Sequence, residues 1–257
     1  MPAVRTPALV LRSSEVFESS LVTTLFTRAL GKTSGLAKGA RRAKSPMQGG
    51  LDLLGLSDIV LLHKASEGLD LVTEASPIER FESLRRDLAA FFAGCYIAEL
   101  LADLTDFHDP HPRLFDAAVV TLRSLGDART RVRRVLRFEL ACLRELGCAL
   151  ELNKCAHCGR EVDTAISLVE METEVDMVAF GPDTGGLLCN DCRVGQPGVF
   201  EISRGSLAAL RALAAPGSAW RALDASPRAL QPLRNALDSV VAHALGHQAR
   251  LARRLGV

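Results

Sequence analysis

Four cysteines in two pairs carry the clearest chemistry in the chain: Cys155 and Cys158 in "CAHCG", Cys189 and Cys192 in "CNDC". A C-x-x-C turn brings two sulfurs to one ion, and two such turns supply the four thiolates of a tetrahedral zinc site. Four sulfurs close the coordination shell, so the pattern points to one structural Zn2+ rather than a catalytic one. The thirty residues between the pairs exceed the spacer of a simple zinc ribbon and leave room for a small sheet, with "ISLVEME" and "DMVAF" as strand-like runs. His157 could replace a cysteine or stay outside the shell. Cys95, Cys142 and Cys148 fall in or beside helical patterns and read as core or spare thiols.

The second chemically loaded stretch is "RALGKTSGLAKGARRAKS", where Arg28, Lys32, Lys38, Arg41, Arg42 and Lys44 occur without one carboxylate. Gly31-Lys32-Thr33 imitates the end of a nucleotide-binding P-loop. A P-loop also needs a glycine five positions before Gly31, where Phe26 stands, and a following helix, which Gly35 and Gly39 would break. The run reads instead as a loop suited to a phosphate backbone, because each phosphate contact releases condensed counterions. Phe17 and Phe26 are the only large aromatic residues near it, so extensive base stacking is poorly supplied. A further basic cluster, "RTRVRRVLRFEL", sets Arg129, Arg133 and Arg137 four residues apart on one helix face, with Arg131 and Arg134 pointing elsewhere. Arg133, Arg134 and Arg137 are candidates to meet DNA or an acidic peptide tail, with a plain solvated helix as the alternative reading.

The signatures of the common hydrolases and dinucleotide enzymes, G-x-S-x-G, H-E-x-x-H and G-x-G-x-x-G, are absent. The zinc-deaminase pattern fails too, since Leu188 and not proline precedes Cys189. The six histidines are scattered; His243 and His247 share a helix face, but no neighbouring carboxylate in the sequence completes a site. The chain reads as a non-enzyme.

These residues need elements to position them. Over the first eighty residues, short β-branched runs at about 8–13, 20–27, 33–37, 53–63 and 69–75 alternate by two, which predicts a five-stranded barrel of the OB type. At about Pro77 the period becomes helical: Phe81, Leu84, Leu88, Phe91, Cys95 and Ala98 form an apolar stripe running to about Leu104. Asp106 to Pro112 breaks the pattern, and helices are expected at about 113–125, 129–147, 204–214 and 227–255. The expected class is therefore α+β: an OB-fold nucleic-acid-binding domain over 1–79, a helical domain over 80–150 and 201–257, and a four-cysteine zinc module over 151–200 inserted in it.

Hydrophobic residues make up 48% and charged residues 24% of the 257 positions, as in ordinary globular proteins. The net charge of +1 hides an uneven distribution. Residues 1–50 hold eight Lys or Arg against Glu15 and Glu18, while residues 51–80 hold Lys64 and Arg80 against six acids. A polyanion should therefore be held by one face. No apolar run is long enough for a membrane span or a signal peptide, and seven cysteines suit a reducing compartment, so a cytoplasmic location is expected.

At this point the sequence resembles the bacterial recombination-repair RecO family. The resemblance rests on "ALVLRSSEVFESSLVTTLFTRALGKTSGLAKGARR", "GGLDLL", "EASPIERFESLRRDLAAFFAGCYIAELLADLT", "HPRLFDAAVVTLRSL", "RFELACLRELG", "LNKCAHCG" and "GGLLCNDC", which cover most of the chain in order. It implies an OB-fold, a central helical domain and a zinc module. It also implies binding of single- and double-stranded DNA, annealing of complementary strands, and action with RecR in loading RecA onto DNA coated by single-strand-binding protein (SSB), with nucleoid association during repair and no membrane partner. The helical domain would receive the acidic C-terminal tail of SSB, and Lys32, Lys38, Arg41 and Arg42 would contact DNA. Two alternatives stay open on the residues alone: an RNA-binding OB and zinc-ribbon protein associated with ribosomes or RNA, and a zinc hydrolase.

Overall fold

The computed structural model describes residues 3–63, 68–162 and 177–255. The run "ISLVEME" lies outside them, and so does the first residue of "DMVAF". The described residues form two compact units, those within 3–127 together with 253–255, and those within 128–252.

The first unit is built on a closed barrel of β1 (Ala3–Val16), β2 (Ser20–Thr27), β3 (Gly31–Ala37), β4 (Leu56–Leu62) and β5 (Asp70–Glu79), in the order β1-β2-β3-β5-β4. β3 and β5 pair in parallel and all other neighbours antiparallel, which is the OB arrangement. β1 is long because it serves two partners: Ala3–Leu9 pairs with β4, and Ala8–Val16 pairs with β2 past an irregularity between Val10 and Arg12. Along it the pleat sorts the side chains. Ala8 and Val10 enter the barrel core with Leu25, Ile59, Leu61 and Val72. Leu9 and its register partner Phe26 point the other way and are buried all the same. What covers that outer face is helical, for Phe26 stacks at 6.3 Å on Phe115. At Gly35 a side chain has no room: a Cβ would stand 2.6 Å from Val72 Cγ2 on the parallel partner strand.

The helices of this unit are α1 (Glu82–Arg86), α2 (Leu88–Leu104) and α3 (Pro112–Ser124). The continuous stripe expected from Phe81 onward is interrupted at Asp87. Its carboxylate caps α2 by accepting from Ala89 N at 2.8 Å and Ala90 N at 3.1 Å, which swings the register. Leu88 is consequently exposed, and the buried face of α2 includes Ala90, Ala93, Tyr96, Ile97, Leu100 and Leu101, with Ala98 of the expected stripe also buried.

The second unit contains α4 (Arg131–Glu145), α5 (Arg204–Ala214), α6 (Pro227–Leu245) and a sheet of β6 (Met177–Gly181), β7 (Gly186–Leu188) and β8 (Phe200–Ser203), ordered β7-β6-β8. Ser203 and Ser226 cap α5 and α6. α6 stops at Leu245 and does not run on to 255, because Gly246 takes a left-handed conformation (φ 72°) and its N–H closes on His243 O. One apolar core joins sheet and helices: Phe180, Leu187 and Ile202 pack with Leu136, Leu140, Leu210, Leu233 and Leu237. Among the described residues no helix is long and apolar enough to cross a membrane.

Candidate nucleic-acid interface and metal centre

β3 divides the basic run of residues 28–45 between its two ends. Seven residues of strand span about 23 Å, so Arg28 and Lys32 belong to one rim of the barrel and Lys38, Arg41, Arg42 and Lys44 to the other. At the second rim all four side chains are exposed. Their loop is tied to the β1–β2 hairpin: Arg41 N donates to Ser19 O at 3.0 Å, and the Arg41 guanidinium pairs with Glu15 at 2.8 Å. At the tip of that hairpin Phe17 is 83% exposed in a left-handed backbone (φ 55°). The two aromatic residues noted in the sequence thus separate, with Phe26 in the interior and Phe17 beside the cationic loop. An open hollow of about 390 Å³ lies between this loop and β5, lined by Lys38, Arg42, Lys44 and Thr73 among others.

Lys32 is buried at 8% exposure and faces protein. Its ammonium donates to Ala102 O at 2.5 Å and to Thr105 O, closing the C-terminal end of α2, and stands 4.6 Å over the Phe107 ring. Burial lowers its pKa, opposed by the charges of Asp106 and Asp103. As a phosphate contact Lys32 is therefore misplaced; a lysine in a basic run looks the same in sequence whether it faces solvent or a helix end. Arg28 is exposed but engaged, its Nε and Nη2 each 3.0 Å from the Asp116 carboxylate.

The three candidate arginines of α4 are largely committed to the protein. Arg133, buried, donates to Arg221 O at 2.7 Å, Leu223 O at 2.6 Å and Arg129 O at 2.9 Å. Arg137 donates to Leu213 O and Ala215 O at the end of α5. Arg134, Arg137 and Arg221 surround Trp220 at 5.3, 5.7 and 5.5 Å. Of the three candidates, Arg134 and Arg137 are half-buried and keep part of their surface toward solvent.

The four cysteines converge as their spacing required. Their sulfurs all lie within 4.8 Å of one another, with Cys158 and Cys189 at 3.8 Å. Each pair sits in a tight turn, where Gly159 N donates to Cys155 O and Arg193 N to Cys189 O. Ala156 N reaches Leu187 O at 2.8 Å and Arg160 pairs with Asp191 at 2.6 Å, so the turns are joined by more than sulfur. Burial opposes the Cys155 thiolate, but N–H groups of Cys189, Cys158 and His157 bring its pKa down to about 6. Cys192, sharing hydrogen bonds with Cys189 first and then with Cys158 and Cys155, is pushed up to about 12. A donor set of four clustered thiols fits a closed tetrahedral ion. His157 is exposed and not part of the cluster. Cys142 is a core thiol raised to about 12 by burial, with lesser contributions from Glu139 and Cys148.

The histidines are less scattered than their sequence positions imply. His243 Nδ1 meets Asp183 Oδ1 at 3.0 Å, a carboxylate that only folding brings near, while His247 turns to Gln248 O. His63 and His108 meet beside Asp70.

A barrel with OB topology, joined in one chain to a helical unit whose turns beside a small sheet gather four cysteines, defines a class of OB-fold protein with an accessory metal-type module. Residues 1–81 match the family model for the N-terminal part of recombination protein O, and residues 85–253 match that for its C-terminal part. The chain belongs to the RecO family of DNA repair proteins. A DNA repair protein RecO of Rhodopirellula baltica is 39% identical over 207 residues, covering 80% of this chain and 73% of its own. One from Anaeromyxobacter dehalogenans is 34% identical over 256 residues, covering 99% of this chain and 95% of its own. One from Desulfitobacterium hafniense is 34% identical over 209 residues, covering 80% and 71%. The family models divide the chain near the change of period at Pro77, whereas packing groups α1–α3 with the barrel.

Proposed function

We propose that the protein is a DNA-repair recombination mediator that binds single- and double-stranded DNA, anneals complementary strands and, with RecR, helps load RecA onto DNA coated by SSB. The observation that carries this reading is the loop after β3, where Lys38, Arg41, Arg42 and Lys44 are exposed together on an OB barrel of the RecO family. Neutralising phosphates lowers the repulsion between two strands, and a site with one exposed aromatic leaves most base edges free to pair. Arg28 is a lesser contact than Lys38 and Arg42, since DNA must displace Asp116 to reach it, as it must displace Glu15 to reach Arg41. The acidic tail of SSB is assigned to Arg134 and Arg137, with Arg133 supporting them from within.

One structural Zn2+ is assigned to Cys155, Cys158, Cys189 and Cys192, where it would supply the bonds joining the two turns. The working location is the cytoplasm and no catalytic role is assigned. Membership of the RecO family does not favour the RNA-binding alternative.

The test replaces Lys38, Arg41 and Arg42 together by alanine. With three phosphates of a single strand no longer neutralised, the slope of log affinity against log salt should fall by about 2 in magnitude, and annealing of SSB-coated strands should weaken. Unchanged affinity and salt slope would place the DNA site elsewhere.

A further inference from the structure

Three side chains that the sequence holds far apart meet in the first unit: His63 after β4, Asp70 at the start of β5, and His108 in the loop between α2 and α3. One donor atom of each lies within 4.8 Å of those of the other two. His63 Nδ1 and Asp70 Oδ1 are 3.0 Å apart, and the rings of His63 and His108 stand edge to face with centroids 4.8 Å apart. We propose that His63, Asp70 and His108 form a second cation site, chemically independent of the four cysteines, that binds zinc or a neighbouring borderline divalent ion.

The donor chemistry selects the ion. Two imidazoles and one carboxylate suit zinc, cobalt or nickel better than magnesium or calcium, which prefer oxygen alone. Three protein ligands leave the fourth tetrahedral position to water. Donors bound at zinc distances of 2.0–2.2 Å stand about 3.4 Å apart. The His63–Asp70 pair is already inside that spacing, and the remaining closure falls to His108, whose side chain is exposed.

The surroundings hold the three ligands in place. Asp70 is 2% exposed, and the Thr33 hydroxyl donates to its Oδ2 at 2.6 Å, orienting the carboxylate from behind in the manner of an outer-shell partner. His108 has a left-handed backbone at φ 60°, a strain that a non-glycine residue sustains where its surroundings over-determine it and that recurs at ligand clamps. Its N–H donates to Lys32 O at 2.9 Å, which seats the loop on the edge of β3. Gly31 permits the close approach, for a Cβ there would stand 2.0 Å from Asp109 O. A hydrogen bond between His63 and Asp70 accounts for two of these residues; the convergence of the second imidazole, in a strained backbone, is what points to a shared ion. Bound there, the ion fastens the loop after α2 to the barrel.

The test uses the full chain, stripped with chelator and titrated with Co2+ and then Zn2+. Cobalt on four thiolates gives intense near-ultraviolet charge-transfer absorption, whereas cobalt on imidazole and carboxylate gives only weak visible bands. Two equivalents per chain are expected, one of each signature. His108→Ala should abolish the second equivalent and leave the thiolate band intact, with His63→Ala doing the same. The histidine site and the cysteine site are thus read separately, and failure of one leaves the other measurable. His108→Ala changes an exposed side chain, so it decides the matter even where His63→Ala fails to fold. A wild-type chain that takes up thiolate-bound cobalt alone, or a second equivalent that survives His108→Ala, overturns the proposal.

Discussion

The Lys32 ammonium lies 2.5 Å from Ala102 O and also holds Thr105 O, so the lysine of an apparent nucleotide-binding triplet closes a helix end. Lys32→Ala is expected to destabilise the protein by about 1.5–3 kcal/mol, the range for hydrogen bonds to charged groups, read from urea unfolding. DNA affinity of the folded fraction should stay near wild type. The opposite pattern, normal stability with DNA affinity lost, would return Lys32 to the interface.

Phe17 is the exposed aromatic beside the cationic loop, 83% accessible at the hairpin tip that Arg41 ties down. Phe17→Ala should weaken single-strand binding by about 1–3 kcal/mol, the range for loss of one base–aromatic stack, without altering the salt slope or the melting temperature. Phe17→Trp should retain affinity. A loss on duplex DNA as large as on single strands would argue against stacking.

How far the sequence can be read depends on whether a feature is local. The five strand runs of the barrel, the helix at 204–214 and the paired cysteines rest on periodicity and spacing within short windows, and the structure contains each of them. Asp87 escapes such a reading because a cap inside an apolar stripe looks like any surface carboxylate until its N–H partners are placed. The basic run is legible as charge but not as geometry. Seven residues of strand send Arg28 and Lys32 to the rim opposite Lys38, and partners such as Asp116 or Ala102 lie some seventy or more positions away. Arg133 is misleading in sequence for the same reason, since its carbonyl partners at 221 and 223 come together only through packing. His63, Asp70 and His108 have no motif spacing at all.

Arg28 grips Asp116 with two hydrogen bonds at 3.0 Å, and that bond, helped by the guanidinium charge against slight burial, holds the carboxyl below its usual range. A carboxyl whose folded pKa is depressed contributes its full stability above the unfolded value and loses it as pH falls through the folded one. The stability gap between wild type and Asp116→Asn should therefore be small but present at neutral pH and vanish at the acid end of the carboxylate range. Arg28→Ala should cost less DNA affinity than Arg42→Ala, because Arg28 must first leave Asp116. Equal losses would make Arg28 a full member of the site.

Removal of metal, or Cys155→Ser with Cys189→Ser, should loosen residues 151–200 while the helices remain. Phe180, Leu187 and Ile202 are anchored in the helical core independently of the sulfurs. The cost should therefore fall below the roughly 10–16 kcal/mol apparent for isolated zinc-finger peptides. Proteolysis within the module with retained far-ultraviolet helix signal is the expected readout. Because the metal holds thiolates, protons compete for the four sulfurs, and metal retention should decline as pH falls. Unchanged protease resistance on metal removal would show that the four thiols need no ion.

The helical core that carries this module holds a buried ion pair, Glu139 of α4 with Arg234 of α6 at 2.6 Å, and Arg234 also pairs with Asp238 on α6. Breaking a buried pair costs about 3–5 kcal/mol where the other charge is stranded, and Asp238 still holds the Arg234 guanidinium, so Glu139→Ala should destabilise the unit by no more than that. Replacing both, as Glu139→Leu with Arg234→Met, removes both desolvation costs and should restore most of that loss. Asp238 is partly exposed, and Asp238→Ala should cost much less. Thermal unfolding of the three variants decides the point. If the double replacement is as damaging as Glu139→Ala, the loss comes from packing around α4 and α6 and not from an uncompensated guanidinium.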